Sequence, residues 1–242
     1  MKFRAVIWKE WVIFRNKFIS TTLGALVGPL LYLISFGWGL GNTVQVGDIS
    51  YTAFVIPGII AMNSMSSSYG VVANDINISR IYGKTFEALM VAPMQMRTFT
   101  VARIIAGALR GLYSAGLILA ISFLFQSDLP LDWYFFLVLT LNCLVFASIG
   151  FIVGILIDSH GDMAKVQNFV ITPMSFLCGT FFPLERLPKG VGFAFEMLPL
   201  TQAVKGLRGG LSGPSSWISL VVLSGYFVVL LFVSIQLCKR AE

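Results

Sequence analysis

Three groups of residues in this chain carry side chains capable of chemistry. They are the tripeptide Gly83–Lys84–Thr85, the cluster Asp158–His160–Asp162, and the run from Asn63 to Ser68, an amide followed by four hydroxyls. Gly-Lys-Thr is the ending of a nucleotide-binding P-loop. That loop also needs a glycine five positions earlier, so that backbone amides can wrap the phosphates, and a strand leading into it. Ile78 stands where the glycine is required, and no strand pattern precedes it. ATP binding by this chain is therefore not expected. His160 is the sole histidine. With only two aspartates beside it, it lacks the ligands of a metal site and reads as part of a short cytoplasmic turn. Covalent catalysis inside a membrane needs a nucleophile with a base beside it. The histidine lies outside the apolar runs, no Gly-x-Ser-x-Gly is present, and Asp75 reads as standing alone at the end of a run. No catalytic residue and no metal are expected.

The elements that would position these residues follow from composition. The chain has 242 residues, 57% hydrophobic and 12% charged, with a mean hydropathy of +0.84. Soluble domains have about 25% charged residues, so this chain has too few charges for a water-facing surface. It reads as an all-α integral membrane protein. Cys143, Cys178 and Cys238 lie in or at the ends of apolar runs and read as small buried hydrophobes. The net charge of +6 is explained by its distribution along the chain, and no nucleic-acid partner is expected.

Residues 1–17 read as an amphipathic helix at the membrane interface. At 100° per residue Phe3, Ile7, Trp11, Phe14 and Phe18 share one face, with Lys2, Lys9 and Asn16 opposite. The basic and aromatic opening does not read as a cleavable signal peptide. Six runs are long enough to cross about 30 Å of hydrocarbon: residues 18–40, 51–73, 104–126, 133–157, 166–183 and 217–238. Lysine and arginine gather before residue 18, between the second and third runs, at Lys165 and at the C-terminus. By the positive-inside rule both termini face the cytoplasm. The whole chain reads as one multi-pass transmembrane domain without a soluble module.

The basic loop between the second and third runs contains a small apolar face. Phe86, Leu89 and Met90 are spaced i, i+3, i+4, and Pro93 ends the pattern. Such a helix either rests on lipid headgroups or docks into a groove on a cytoplasmic partner.

Three stretches, with the amphipathic start and the six runs, resemble the permease subunits of ABC exporters for polysaccharides, lipids and drugs, including nodulation-factor and O-antigen export permeases. They are FVIPGIIAMNSM (54–65), YGKTFEALMVAPM (82–94), and FFPLERLPKG (181–190) running into LPLTQAVKGLRGG (198–210). The resemblance implies that residues 82–94 form a coupling helix seated in a separate ATPase. Gly83, Phe86, Glu87, Leu89, Met90 and Pro93 would be its docking residues. It also implies two ATP-binding subunits, a second copy of this chain, and a bacterial inner-membrane location. ATP and magnesium would be held by the partner, with no cofactor on this chain.

Residues 184–214 hold Pro188, Pro199 and Pro214 and form the one basic loop on the far side, with Lys205 and Arg208. Similar permeases fold this region into two short re-entrant helices before the last span. Pro188, Pro199, Lys205 and Arg208 then become candidates for an extracytoplasmic gate or for contact with anionic headgroups. Within the runs, Asn63 and Ser67 lie four apart and read either as helix-packing groups or as part of a substrate path, as does Asn142. Arg110, two turns into the third run, reads as a side chain reaching for the interface. An ATP-independent channel or scaffold is the competing reading. It has no filter sequence or charged ring to support it.

Overall fold

The structure is a computed structural model describing residues 2–39, 45–46, 49–81, 95–123, 129–184, 188–211 and 216–240. Helix α1 spans Lys2–Asn16 and passes through Lys17 into α2, Phe18–Tyr32, which continues as a wider π-helical turn over Leu33–Trp38. Next come two-residue antiparallel strands, β1 (Gln45–Val46) and β2 (Ile49–Ser50), the one departure from an all-helical chain among the described residues. Then follow α3 (Tyr51–Ile81), α4 (Met96–Ser122) and α5 (Trp133–Leu156).

Helix α6, His160–Val166, begins at the histidine and is not a turn. It runs through a π segment at Gln167–Ile171 into α7, Thr172–Leu177. Pro173 accounts for the irregularity, because it has no N–H to donate and crowds the preceding turn. The chain closes with α8 (Lys189–Glu196), α9 (Pro199–Gly209) and α10 (Ser216–Arg240).

Four of the described helical stretches are long and apolar enough to cross a membrane: Phe18–Phe36, Met96–Ser122, Trp133–Leu156 and Ser216–Arg240. Their outward faces match that environment. Ile19 on α2 is 73% exposed and Val221 on α10 is 66% exposed, each within a row of exposed apolar side chains. A water-soluble protein does not leave such continuous faces uncovered. The chain is a multi-pass helical membrane protein.

Helix α3 behaves differently. Its 31 residues extend about 46 Å at 1.5 Å per residue, yet its asparagines, serines, Asp75 and Arg80 keep its hydropathy low. It is the central helix, packed against α4, α5 and α9, and buried on several sides. Its neighbours are protein, so polar groups are tolerated where partners meet them.

Ring contacts close the end of the bundle near β2. Tyr32, Phe36, Tyr51, Phe176 and Phe181 pack together, and the Tyr51 hydroxyl donates to the Phe181 carbonyl at 2.9 Å.

Helix α1 lies against α4 on a face rotated from the one its sequence suggests. Val6 and Glu10, one turn apart, are buried, while Trp8 and Trp11 are exposed. The aromatic stripe therefore points partly away from the protein, as suits side chains that prefer a membrane interface. The burial of Glu10 requires a counter-charge.

Candidate functional site

The site is built around α3. Gly107 and Gly111 on α4, and Gly150 and Gly154 on α5, form two pairs of glycines four residues apart. Each pair lets the α3 backbone come close. A Cβ on Gly150 would lie 2.5 Å from the Tyr69 carbonyl oxygen, and one on Gly111 would lie 2.9 Å from the Ser64 carbonyl oxygen. These small-residue seams were not singled out in the sequence. The spacing Gly-x-x-x-Gly within an apolar helix is the signal that exposes them.

Close approach brings polar side chains into range. Asn63 Nδ2 donates to Ser114 Oγ, and Ser67 Oγ donates to the same oxygen at 2.9 Å. Asn142 Nδ2 donates to the Ala61 carbonyl at 3.1 Å and to Ser64 Oγ at 3.0 Å. All three candidate path residues thus tie helices together. Their surroundings still separate them. Asn63 and Ser67 line a cavity of about 270 Å³ between α2, α3 and α4, with Thr21, Arg110, Tyr113 and Ser114 also in its wall. Asn142 is fully buried in the α3–α5 seam and does not line that cavity.

A charged cluster sits beside this region. Arg103 on α4, 5% exposed, pairs with Glu10 of α1 and with Asp75 of α3. Asp75 is therefore not alone, contrary to the sequence reading. The helices bring to it an arginine 28 residues away, a relation that no local pattern encodes. One guanidinium holds three helices together. Arg110, seven residues on and so on the same face of α4, stacks over the Phe14 ring of α1 at 4.9 Å.

Arg80, in the last turn of α3, makes a second clamp. It donates to the Gly154 carbonyl at 3.2 Å and to the Ile155 carbonyl, and pairs with Asp158 at 2.9 Å. Asn77 Nδ2 adds a bond to the Ile157 carbonyl at 2.7 Å. The C-terminal ends of α3 and α5 are thereby joined.

At the opposite end α9 is locked down. Arg208 lies 3.6 Å from the Phe54 ring centroid and donates at 2.9 Å to the carbonyls of Phe54 and Thr180. Lys205 pairs with Glu196 at 2.6 Å. Pro199 occupies the first turn of α9, where a missing N–H costs nothing, and exposed Pro188 immediately precedes α8. Arg208→Met should lower stability by about 2 kcal/mol, since both charge-assisted bonds and the ring contact are lost. Thermal unfolding in detergent checks this. An unchanged midpoint would mean the contacts are dispensable.

The comparisons with known proteins bear on this arrangement. Residues 1–212 match the family model described as ABC-2 type transporter. The chain belongs to the ABC-2 type transporter family. It is 29% identical over 237 residues to the inner membrane transport permease YadH of Escherichia coli (strain K12), covering 96% of this chain and 91% of that protein. It is 29% identical over 245 residues to nodulation protein J of Neorhizobium galegae, covering 96% and 93%. With nodulation protein J of Rhizobium leguminosarum bv. trifolii it shares 30% identity over 210 residues, 84% of this chain and 78% of that one.

As an ABC-2 permease the chain has a helix-dense core around α3 and charged clamps on either side of it. The expected docking residues Gly83, Phe86, Glu87, Leu89, Met90 and Pro93 lie outside the described residues. Their neighbours on both sides are described. Residue 81 ends α3 and residue 96 begins α4, two helices packed along each other.

Proposed function

We propose that this ABC-2 chain is the membrane-spanning subunit of an ATP-driven exporter that moves an amphipathic or lipid-linked substrate across a bacterial inner membrane. One observation carries the reading. Residues 82–94 join the ends of α3 and α4, and those ends are held to α1 and α5 by Arg103 and Arg80. A push on that short segment would reach four helices at once. A packed, polar-bonded unit transmits displacement because it is not continuously deformable.

In this proposal residues 82–94 are a coupling helix whose apolar face, Phe86, Leu89 and Met90, fits a groove on a cytoplasmic ATP-binding subunit, with Glu87 beside it. Two such subunits, carrying ATP and magnesium, act on two copies of this chain. Six segments cross the membrane, both termini face the cytoplasm, and α1 lies at the interface. Helices α8 and α9 re-enter the outer leaflet, with Pro188, Pro199, Lys205 and Arg208 near the exit. Asn63 and Ser67 border the substrate path, and Asn142 braces it. The name of one relative, the inner membrane transport permease YadH, agrees with a transport role.

The test is co-purification. A tagged chain expressed with its neighbouring genes and extracted in mild detergent should bring down an ATP-hydrolysing subunit in equal amount. Intact chain without such a partner would overturn the proposal.

A further inference from the structure

Two cavities meet at Arg110 and Tyr113. The first, about 270 Å³, is an open and mainly apolar groove between α1 and α4, lined by Ile7, Trp11, Phe14, Ala106 and Leu109 as well as Glu10. The second is the polar cavity already described, also about 270 Å³, with Thr21, Asn63, Ser66, Ser67 and Ser114 in its wall. Arg110 and Tyr113 line both. Together the two volumes fall in the range of small-ligand pockets, about 300–1,000 Å³.

Charge separates the two halves. Glu10, the one carboxylate in the groove, is bonded to Arg103. Among the described residues no acidic side chain lines the polar cavity, and Arg110 is the only charged one that does. Arg110 makes no direct hydrogen bond or ion pair among the described residues and stacks on the Phe14 ring. The nearby carboxylates of Glu10 and Asp75, which attract it through space, are each bonded to Arg103. Four hydroxyl-bearing residues, Thr21, Ser66, Ser67 and Ser114, and the Asn63 amide surround Arg110 in the polar cavity in addition to Tyr113. An apolar channel that opens onto a cationic, hydroxyl-lined chamber has the shape and polarity of an anionic amphiphile.

We propose that this double cavity is a binding site for an anionic membrane phospholipid. An acyl chain lies in the α1–α4 groove, and the phosphate is held by Arg110 with hydroxyls from α2, α3 and α4. The acyl chain gains little by leaving the bilayer, which is as apolar as the groove. Selectivity therefore resides in the headgroup, where a guanidinium–phosphate contact is charge-assisted and poorly screened. Such a lipid would wedge α1 against the transmembrane helices. The chamber shares Asn63 and Ser67 with the proposed substrate path, so the lipid sits at the border of that path and the inference rests in part on that reading. The lipid readouts below do not require the cargo to be known.

The experiment uses the full chain in mild detergent. Its melting temperature is followed on adding phosphatidylglycerol or phosphatidylcholine with matched acyl chains, and retained lipid is counted by native mass spectrometry. Phosphatidylglycerol should raise the melting temperature by several degrees more than phosphatidylcholine and should remain bound. Arg110→Gln should abolish the difference, and Arg110→Lys should keep part of it. Gly24→Leu is an independent block. Gly24 lines the polar cavity and a Cβ there meets nothing within 4 Å, so a larger side chain has room at the chamber wall while Arg110 itself is kept. Equal rises with both lipids, or a phosphatidylglycerol shift that survives in Arg110→Gln and Gly24→Leu, would overturn the proposal. So would an effect of Arg110→Gln on self-association with no change in bound lipid, because the groove would then be covered by a second copy.

Discussion

Arg103→Met is expected to destabilise the folded chain by about 3–5 kcal/mol, the range for removing one partner of a buried ion pair. Arg103 is buried against Glu10 and Asp75, and Glu10 is itself buried. Methionine fills much of the volume but leaves both carboxylates without their counter-charge. Helix α1 should loosen first, because Glu10 is its buried polar anchor. Thermal unfolding and protease sensitivity near α1 would read the two effects. The compensated variant Glu10→Gln/Asp75→Asn/Arg103→Met should recover most of the loss, since replacing a whole buried charge set is often nearly neutral. Recovery would assign the loss to uncompensated charge. If Arg103→Met alone melts like the parent chain, the cluster does not hold α1.

Gly150→Ala is the second large effect. One methyl group would be placed 2.5 Å from the Tyr69 carbonyl oxygen and 3.2 Å from Tyr69 Cα. Those are backbone atoms of a central helix, so no rotamer change can relieve the contact. Helices α3 and α5 must separate, which opens the seam where Asn142 bonds to Ala61 and Ser64. Overpacking of this kind costs about 1–3 kcal/mol. Gly225→Ala is the control, because a Cβ on Gly225 in α10 meets nothing within 4 Å. There alanine should be neutral or stabilising by up to about 1 kcal/mol through helix propensity. Equal melting temperatures for the two variants would refute the close-packed seam.

These two sites also show which features the sequence makes legible. Helices α2, α5 and α10 begin within a residue or two of their apolar runs, because their outer faces meet lipid and hydropathy reads that directly. Helix α3 continues eight residues past the run at 51–73, and α4 begins eight residues before the run at 104–126. The residues that ended those runs, Asp75, Arg80 and Arg103, are paired within the bundle. A hydropathy window counts a charge as a boundary, while a folded chain counts only an unpaired one. The Phe14 ring that Arg110 stacks on lies on another helix, 96 positions earlier in the sequence, a contact that spacing along the chain does not show.

The candidate site divides in the same way. Asn63, Ser67 and Asn142 stand out in the sequence because polar groups are conspicuous in apolar runs. That the first two border a cavity and the third fills a seam depends on helix rotation, which sequence spacing leaves open. The glycine pairs were legible by spacing alone. Glu10 was not, since a single acid on an amphipathic basic helix resembles a solvated one until its partner is known.

The central claim is that residues 82–94 connect this permease to an ATP-binding partner, and Leu89→Arg tests it most directly. Tagged wild-type and Leu89→Arg chains would be co-expressed with the neighbouring genes, purified in mild detergent, and compared for bound ATPase and for melting temperature. The predicted result is an ATP-hydrolysing subunit in equal amount on the wild type and at least tenfold less on Leu89→Arg, with melting unchanged, because a charge on the apolar face of the proposed coupling helix spoils docking. Equal ATPase on both chains, or none on the intact wild type, would contradict it.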